Sequence, residues 1–163
     1  LLLSSLRILN FALPWVKPAI SSSRASLPSI NSCALFMFDL NDLKKCNDKF
    51  GHEKGDEYIK TISDVIASAF GFDGRCYRIG GDEFSVIAPY ISQNDIDSKL
   101  NWINRKITEI NRKKFVVTMS VSVGYAVYDE EKDENLDATL KRADEMMYEN
   151  KRLYKEKLAM AGR

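Results

Sequence analysis

Gly80-Gly81-Asp82-Glu83 sets two adjacent carboxylates directly after a glycine pair, between a strand-like run from Arg75 to Ile79 and a second from Glu83 to Pro89. Neighbouring carboxylates repel unless a cation or a proton lies between them. The tip therefore suits either a bound metal or one shifted carboxyl pKa for acid–base work. The same residue types also make ordinary solvated turns. Gly-Gly between two such runs predicts a two-residue hairpin, because the primed turns that match strand twist need positive φ.

Three further groups have suitable chemistry. Asp39 ends Cys33-Ala-Leu-Phe-Met-Phe38, a continuous apolar run of the kind found in strands buried on both faces. There it is either a metal ligand or a turn and N-cap residue. Asn47 and Asp56 flank the glycine-bracketed break Gly51-His52-Glu53-Lys54-Gly55-Asp56, and either share one ligand at a helix junction or act as caps and surface residues. Lys151 and Lys155 continue, by i+4 steps, the helical face of Leu136, Leu140, Ala143 and Met147. Two ammonium groups on one face suit phosphates, and equally suit a helix C-terminus.

The elements that position these groups follow from periodicity. A short helix is predicted over 43–50, closed by Gly51 as a left-handed cap, then a longer one to about Phe70 with Ile59, Ile62, Ile66 and Ala69 inward. Ile96, Leu100, Ile103, Ile107 and Ile110 mark an amphipathic helix in which Trp102 packs. Val117 to Val127 alternates as a strand whose second face, Thr118, Ser120, Ser122 and Gly124, is small enough for close approach of a helix or ligand. A loop over 129–135 precedes a last helix from Leu136 to about Lys157. The order reduces to βαββαβ, an α+β, ferredoxin-like antiparallel sheet with helices on one face, which brings the end of the first strand beside the central hairpin.

The chain of 163 residues fits one domain with a short appendage. Residues 1–32, rich in Leu, Ser and Pro, read as an atypical lead-in that is truncated or poorly ordered, and hold no apolar run of membrane-spanning length. Lys and Arg total 24 against 23 Asp and Glu, a balance with no footprint for a nucleic-acid polymer. Cys33, Cys46 and Cys76 form neither a disulfide framework nor a zinc pattern, and a reducing cytoplasm is the simplest compartment.

Phe38-Asp39-Leu40-Asn41, Lys45-Cys46-Asn47-Asp48, Gly51-His52-Glu53-Lys54-Gly55-Asp56, Arg78 to Phe84, Thr118 to Gly124 and Ala143-Asp144 to Lys151 occur in the order of one family. Over residues 33–158 the chain resembles the GGDEF domain, the diguanylate cyclase catalytic domain, with residues 159–163 left as a tail. The resemblance implies a nucleotide-cyclase-like palm with a βααββαβ core. It implies condensation of two GTP molecules into cyclic di-GMP with release of pyrophosphate, across two copies of the domain. Asp39, the Leu40 backbone carbonyl and Asp82 would hold Mg2+, or alternatively Mn2+. Glu83 or Asp82 would help deprotonate the attacking ribose hydroxyl, and which of them does so stays open. Asn47 and Asp56 would read the guanine edge, Gly80 and Gly81 would let the nucleotide approach, and Lys151 and Lys155 would hold phosphates. His52 is expected to make a structural hydrogen bond.

Three departures from the family pattern carry expectations. Nothing in residues 1–32 resembles the Asp-x-Leu-Thr-x-Leu-x-Asn-Arg stretch of family members. The window of the inhibitory Arg-x-x-Asp reads Gly71-Phe72-Asp73-Gly74, so that site is expected to be absent, with Gly71 and Gly74 in place of its Arg and Asp. Lys155 stands where the family has Arg, which keeps charge but loses the bidentate fork. An alternative is a catalytically impaired domain that serves as a GTP-binding or protein-interaction module.

Overall fold

A computed structural model describes residues 33–113 and 116–162. The expected lead-in lies outside them. The elements are β1 (Ala34–Leu40), α1 (Leu43–Phe50), α2 (His52–Phe70), β2 (Arg75–Arg78), β3 (Glu83–Ala88), α3 (Gln93–Arg112), β4 (Val121–Val127) and α4 (Leu136–Ala161). The four strands form one sheet in the order β2-β3-β1-β4, every neighbouring pair antiparallel.

Every residue of β1 is buried, as its unbroken apolar run implies. Ala34, Phe36, Phe38 and Leu40 face a core built with α1, α2 and α3, where Phe36 packs on Phe70 at 4.7 Å between ring centroids. Leu35 and Met37 face the other way, against Leu140, Ala143 and Met147 of α4. The expectation of helices on one face is thus corrected: α4 covers the second face. Its close approach depends on Gly124, where a Cβ would lie 2.2 Å from the Ala143 carbonyl oxygen and the Met147 nitrogen. Gly124, the glycine of the small-residue face read along this strand, therefore sits under a helix.

Several boundaries shift for physical reasons. The break before α2 is Gly51 alone, whose φ of 84° and ψ of 164° suit glycine but are not the left-handed helical cap expected. Gly55 and Asp56 lie inside α2, whose inward face is Gly55, Tyr58, Ile62, Val65, Ile66 and Phe70, with Ile59 only half-buried. The β4 ladder begins at Val121 because side chains replace a partner strand before it. Asn111 pairs with both the N–H and carbonyl of Met119 at 2.8 Å, and the Tyr58 hydroxyl does the same for Ser120. α4 continues to Ala161, beyond the expected end.

The loop before α4 is tied down by a buried carboxylate. Asp133 accepts from Arg142 through both oxygens, at 2.9 and 2.5 Å, and from the Thr139 hydroxyl at 2.9 Å. The Arg142 guanidinium holds the Asp133 pKa down at about 2, and donates also to the Val127 carbonyl at 2.7 Å. This bidentate pair locks the start of α4 onto the end of β4.

Candidate active site

Asp39 pairs in register with Glu83 of β3 on one side and Ser122 of β4 on the other. It continues the face of Leu35 and Met37, so its side chain emerges beneath α4. There Lys151 Nζ donates to Asp39 Oδ2 at 2.6 Å. Oδ1 is buried and has no hydrogen-bond partner among the described residues. Asp82 is joined to the same spot through its backbone, with the Leu40 N–H donating to the Asp82 carbonyl at 2.9 Å. The end of the first strand and the hairpin tip therefore meet, as the topology predicts.

Electrostatics bear the mark of this crowding. Burial raises the Asp39 pKa and nearby Asp82 adds to the rise, against the opposing pull of Lys151. Glu83 is raised as well, first by burial and then by the charges of Asp39, Asp82 and Asp144. Asp144, an exposed residue of α4, is a site neighbour that the sequence analysis does not single out, although it lies in the last matching motif. Among the described residues no three His, Cys, Asp or Glu side chains are arranged to hold a metal ion by themselves.

The tip differs from the expected two-residue turn. Four residues, Ile79 to Asp82, separate β2 from β3, and the N–H groups of Ile79 and Gly80 both donate to the Glu83 carbonyl, at 3.0 and 3.3 Å. Neither Gly80 nor Gly81 has positive φ. Arg78 clasps the turn instead, Nε to the Gly80 carbonyl at 3.2 Å and Nη2 to the Gly81 carbonyl at 2.7 Å. A Cβ on Gly80 would lie 2.7 Å from Glu83 Oε2, the movable end of that side chain, and would displace it, whereas one on Gly81 would have no described neighbour within 4 Å.

Asn47 and Asp56 are brought to one place by the tight α1–α2 junction. The Asn47 amide lies across Gly55, where a Cβ would be 1.8 Å from its Oδ1, and Asp56 is the next residue, exposed at the surface. Asn47 Oδ1 is buried without a hydrogen-bond partner among the described residues. His52 heads α2 with its side chain exposed and makes no hydrogen bond to a described residue, so the structural bond expected of it is not found. Lys155 is exposed and acts on Asp39 and Asp42 only through space.

A second set of residues, unremarked in the sequence, holds the turn after Asp39. Asn41 is buried; its N–H donates to the Ser120 carbonyl at 3.0 Å, and its Oδ1 accepts from the Ser122 hydroxyl at 3.0 Å. The fully buried Tyr58 hydroxyl lies 2.9 Å from the Asn41 carbonyl and 2.8 Å from that of Ser120, and accepts the Ser120 N–H at 2.7 Å. Asp42 sits at φ 58°, a conformation uncommon outside glycine. Its carboxylate accepts from Lys45 at 2.7 Å and from the Tyr154 hydroxyl of α4 at 2.8 Å. A tyrosine on the inward face of a helix needs a partner for its hydroxyl, which was the available signal for Tyr58.

The fold is an antiparallel α+β sheet with an acidic hairpin tip beside an acidic strand end, the arrangement that the resemblance implies. Residues 19–157 match the family model "Diguanylate cyclase, GGDEF domain", and the chain belongs to that family. The match begins inside the stretch expected to be a lead-in. The chain is 30% identical over 123 residues to diguanylate cyclase VdcA of Vibrio cholerae, covering 74% of this chain and 36% of that protein. It is 33% identical over 119 residues to cyclic di-GMP phosphodiesterase PdeR of Escherichia coli, covering 72% of this chain and 18% of PdeR. The chain thus spans well under half the length of either relative. Among solved structures, the GGDEF domain of DgcB from Caulobacter crescentus, in complex with c-di-GMP, is 25% identical with a TM-score of 0.66, over 74% of this chain and 72% of that one.

Proposed function

We propose that the chain is a diguanylate cyclase domain that condenses two GTP molecules into cyclic di-GMP with release of two pyrophosphates. The observation that carries this reading is the meeting of Asp39 with Glu83 and Asp82 at one end of the sheet. Asp39, the Leu40 carbonyl and Asp82 would hold Mg2+, or Mn2+. The hard oxygen donors and the orphaned, buried Asp39 Oδ1 fit such a cation. With too few side chains arranged to enclose a metal unaided, phosphate oxygens of the substrate are natural completing ligands. The metal would supply a lowered hydroxyl pKa and a counter-charge for the phosphates.

The residues divide the remaining work. Glu83, raised above its ordinary pKa by burial and three neighbouring acids, is suited to take the proton of the 3′-hydroxyl that attacks the α-phosphorus of the second GTP. Asp56, at the surface, would accept from the guanine ring N–H and exocyclic amine, a donor pair that adenine lacks, while Asn47 meets the same edge. Gly81, with open space where a Cβ would be, leaves room for the nucleotide. Lys151 and Lys155 would neutralise the triphosphate. One domain holds one GTP, so turnover requires a second copy face to face, most simply a homodimer. GTP as substrate and free cysteines fit a cytoplasmic setting. No described helix is long and apolar enough to cross a membrane.

Incubation of the chain at high concentration with GTP and Mg2+, followed by chromatography, tests this reading. Cyclic di-GMP is the expected product, and its absence under those conditions overturns the reading. The second reading, a domain that binds GTP without turnover, is favoured by one observation: a relative named for hydrolysing cyclic di-GMP carries the same domain. Tight GTP binding with no product is its signature.

A further inference from the structure

Lys151 was expected to serve phosphate, yet in the structure its ammonium lies on Asp39. The contact is 2.6 Å, with the Asp39 side chain 4% exposed and that of Lys151 26% exposed, so solvent screens the pair weakly. Only Oδ2 is engaged. Oδ1, itself buried, has no partner among the described residues, and one ammonium does not meet the full demand of a buried carboxylate. The cluster is acid-rich: Asp82 lies near enough to act on Asp39, and Asp39, Asp82 and Asp144 near enough to act on Glu83. Lys155, one turn further along α4, touches none of them.

We propose that Lys151 is a stand-in for the divalent cation: its ammonium holds Asp39 until a cation takes that carboxylate, and the exchange releases the same ammonium to the triphosphate. Lys151 is thereby a positioning residue that couples two ligands. This rests on the cyclase reading for the identity of the triphosphate. Because the ammonium cannot occupy both places, cation and triphosphate favour each other, and the coupling is reciprocal. A lysine that only bound phosphate would carry no such linkage.

The test uses the full chain, with Mn2+ followed by its free-ion EPR signal and a GTP analogue carrying a methylene bridge between α- and β-phosphorus followed by calorimetry. Lys151→Met keeps the aliphatic stem and removes the charge, and Lys155→Met removes an equal charge that does not touch Asp39. In nucleotide-free protein, Lys151→Met is expected to bind Mn2+ at least about fivefold more tightly than wild type, and Lys155→Met much less so. Without a cation, Lys151→Met is expected to change analogue affinity less than about twofold, and with Mn2+ to weaken it about tenfold. Lys155→Met is expected to weaken the analogue equally in both conditions. Mn2+ affinity unchanged in Lys151→Met, or an equal analogue deficit with and without the cation, overturns the exchange while leaving the cyclase reading intact. Wild type that fails to bind the analogue under either condition overturns both.

Discussion

Asp39 and Glu83 stand directly opposite each other across the β1–β3 ladder, with Asp82 tethered to Leu40 one residue on. Burial and then the charge of Asp39 raise the Glu83 pKa, burial and Asp82 raise that of Asp39, and the sheet gives these carboxylates no room to separate. Such a site stores repulsion in the absence of a cation, which is usual where function competes with stability. Glu83→Gln is therefore expected to abolish turnover while stabilising the metal-free protein by roughly 0.5–2 kcal/mol, seen as a higher melting temperature. Scanning calorimetry beside a GTP turnover assay checks both halves. Full activity in both Glu83→Gln and Asp82→Asn would contradict the assigned chemistry.

Gly55 separates stability from recognition. Alanine there is a better helix former by about 1 kcal/mol, yet its methyl would take the place of the Asn47 amide. Gly55→Ala is expected to keep or raise the unfolding midpoint and to lower GTP affinity roughly tenfold, the scale of one or two lost hydrogen bonds. Denaturant titration and calorimetric GTP binding read the two effects independently.

The Tyr58 hydroxyl serves Asn41 and both backbone groups of Ser120 from a site with no access to water. Burial raises its pKa well above the ordinary phenol range, so it stays protonated throughout the working range of pH. Tyr58→Phe leaves the ring in the core and orphans those partners, with an expected loss of about 1–3 kcal/mol. Urea unfolding measures it. Because the orphaned groups flank the turn after Leu40, the variant is also expected to need more Mg2+ for half-maximal turnover.

Asp133 gives the fold an acid limit. Its pKa is about 2 in the folded chain against an ordinary 3.8, because Arg142 favours the ionised form. A depressed folded-state value means that this stabilisation is complete above roughly pH 4 and is lost as pH falls through the folded pKa. Asp133→Asn is expected to cost about 1–3 kcal/mol at neutral pH and to flatten the decline in stability between pH 4 and 2. Thermal melts across that range, wild type against variant, decide it.

Feedback inhibition through the turn before β2 is expected to be absent. Gly71 and Gly74 stand in place of an arginine and an aspartate, and the remaining acid, Asp73, is paired with Lys99 at 2.5 Å. Adding cyclic di-GMP to a turnover assay should leave the initial rate unchanged, and inhibition at low product concentration would refute this.

Asp39, Asp82-Glu83, Asn47 and Asp56 stand out in the sequence because each lies at or beside a break in a periodic pattern. Tyr58 and Asn41 do not, since a tyrosine and an asparagine within ordinary runs do not reveal which backbone groups lack partners. The hairpin was misjudged for a related reason. Gly-Gly signals positive φ in isolation, but here Arg78 braces the turn from outside and Gly80 makes room for Glu83.

The sequence alone determined the family, the order of the elements and the placing of acids at the end of one strand and the tip of one hairpin. These are local matters of period, turn residues and motif spacing. Only the tertiary structure decided that α4 lies across the second face of the sheet, and hence that Lys151 meets Asp39 rather than open solvent. That placement rests on the close approach at Gly124, the packing of Leu140, Ala143 and Met147 and the Asp133–Arg142 pair; the small face of the strand allows a helix or a ligand there, and only the contact between layers decides which.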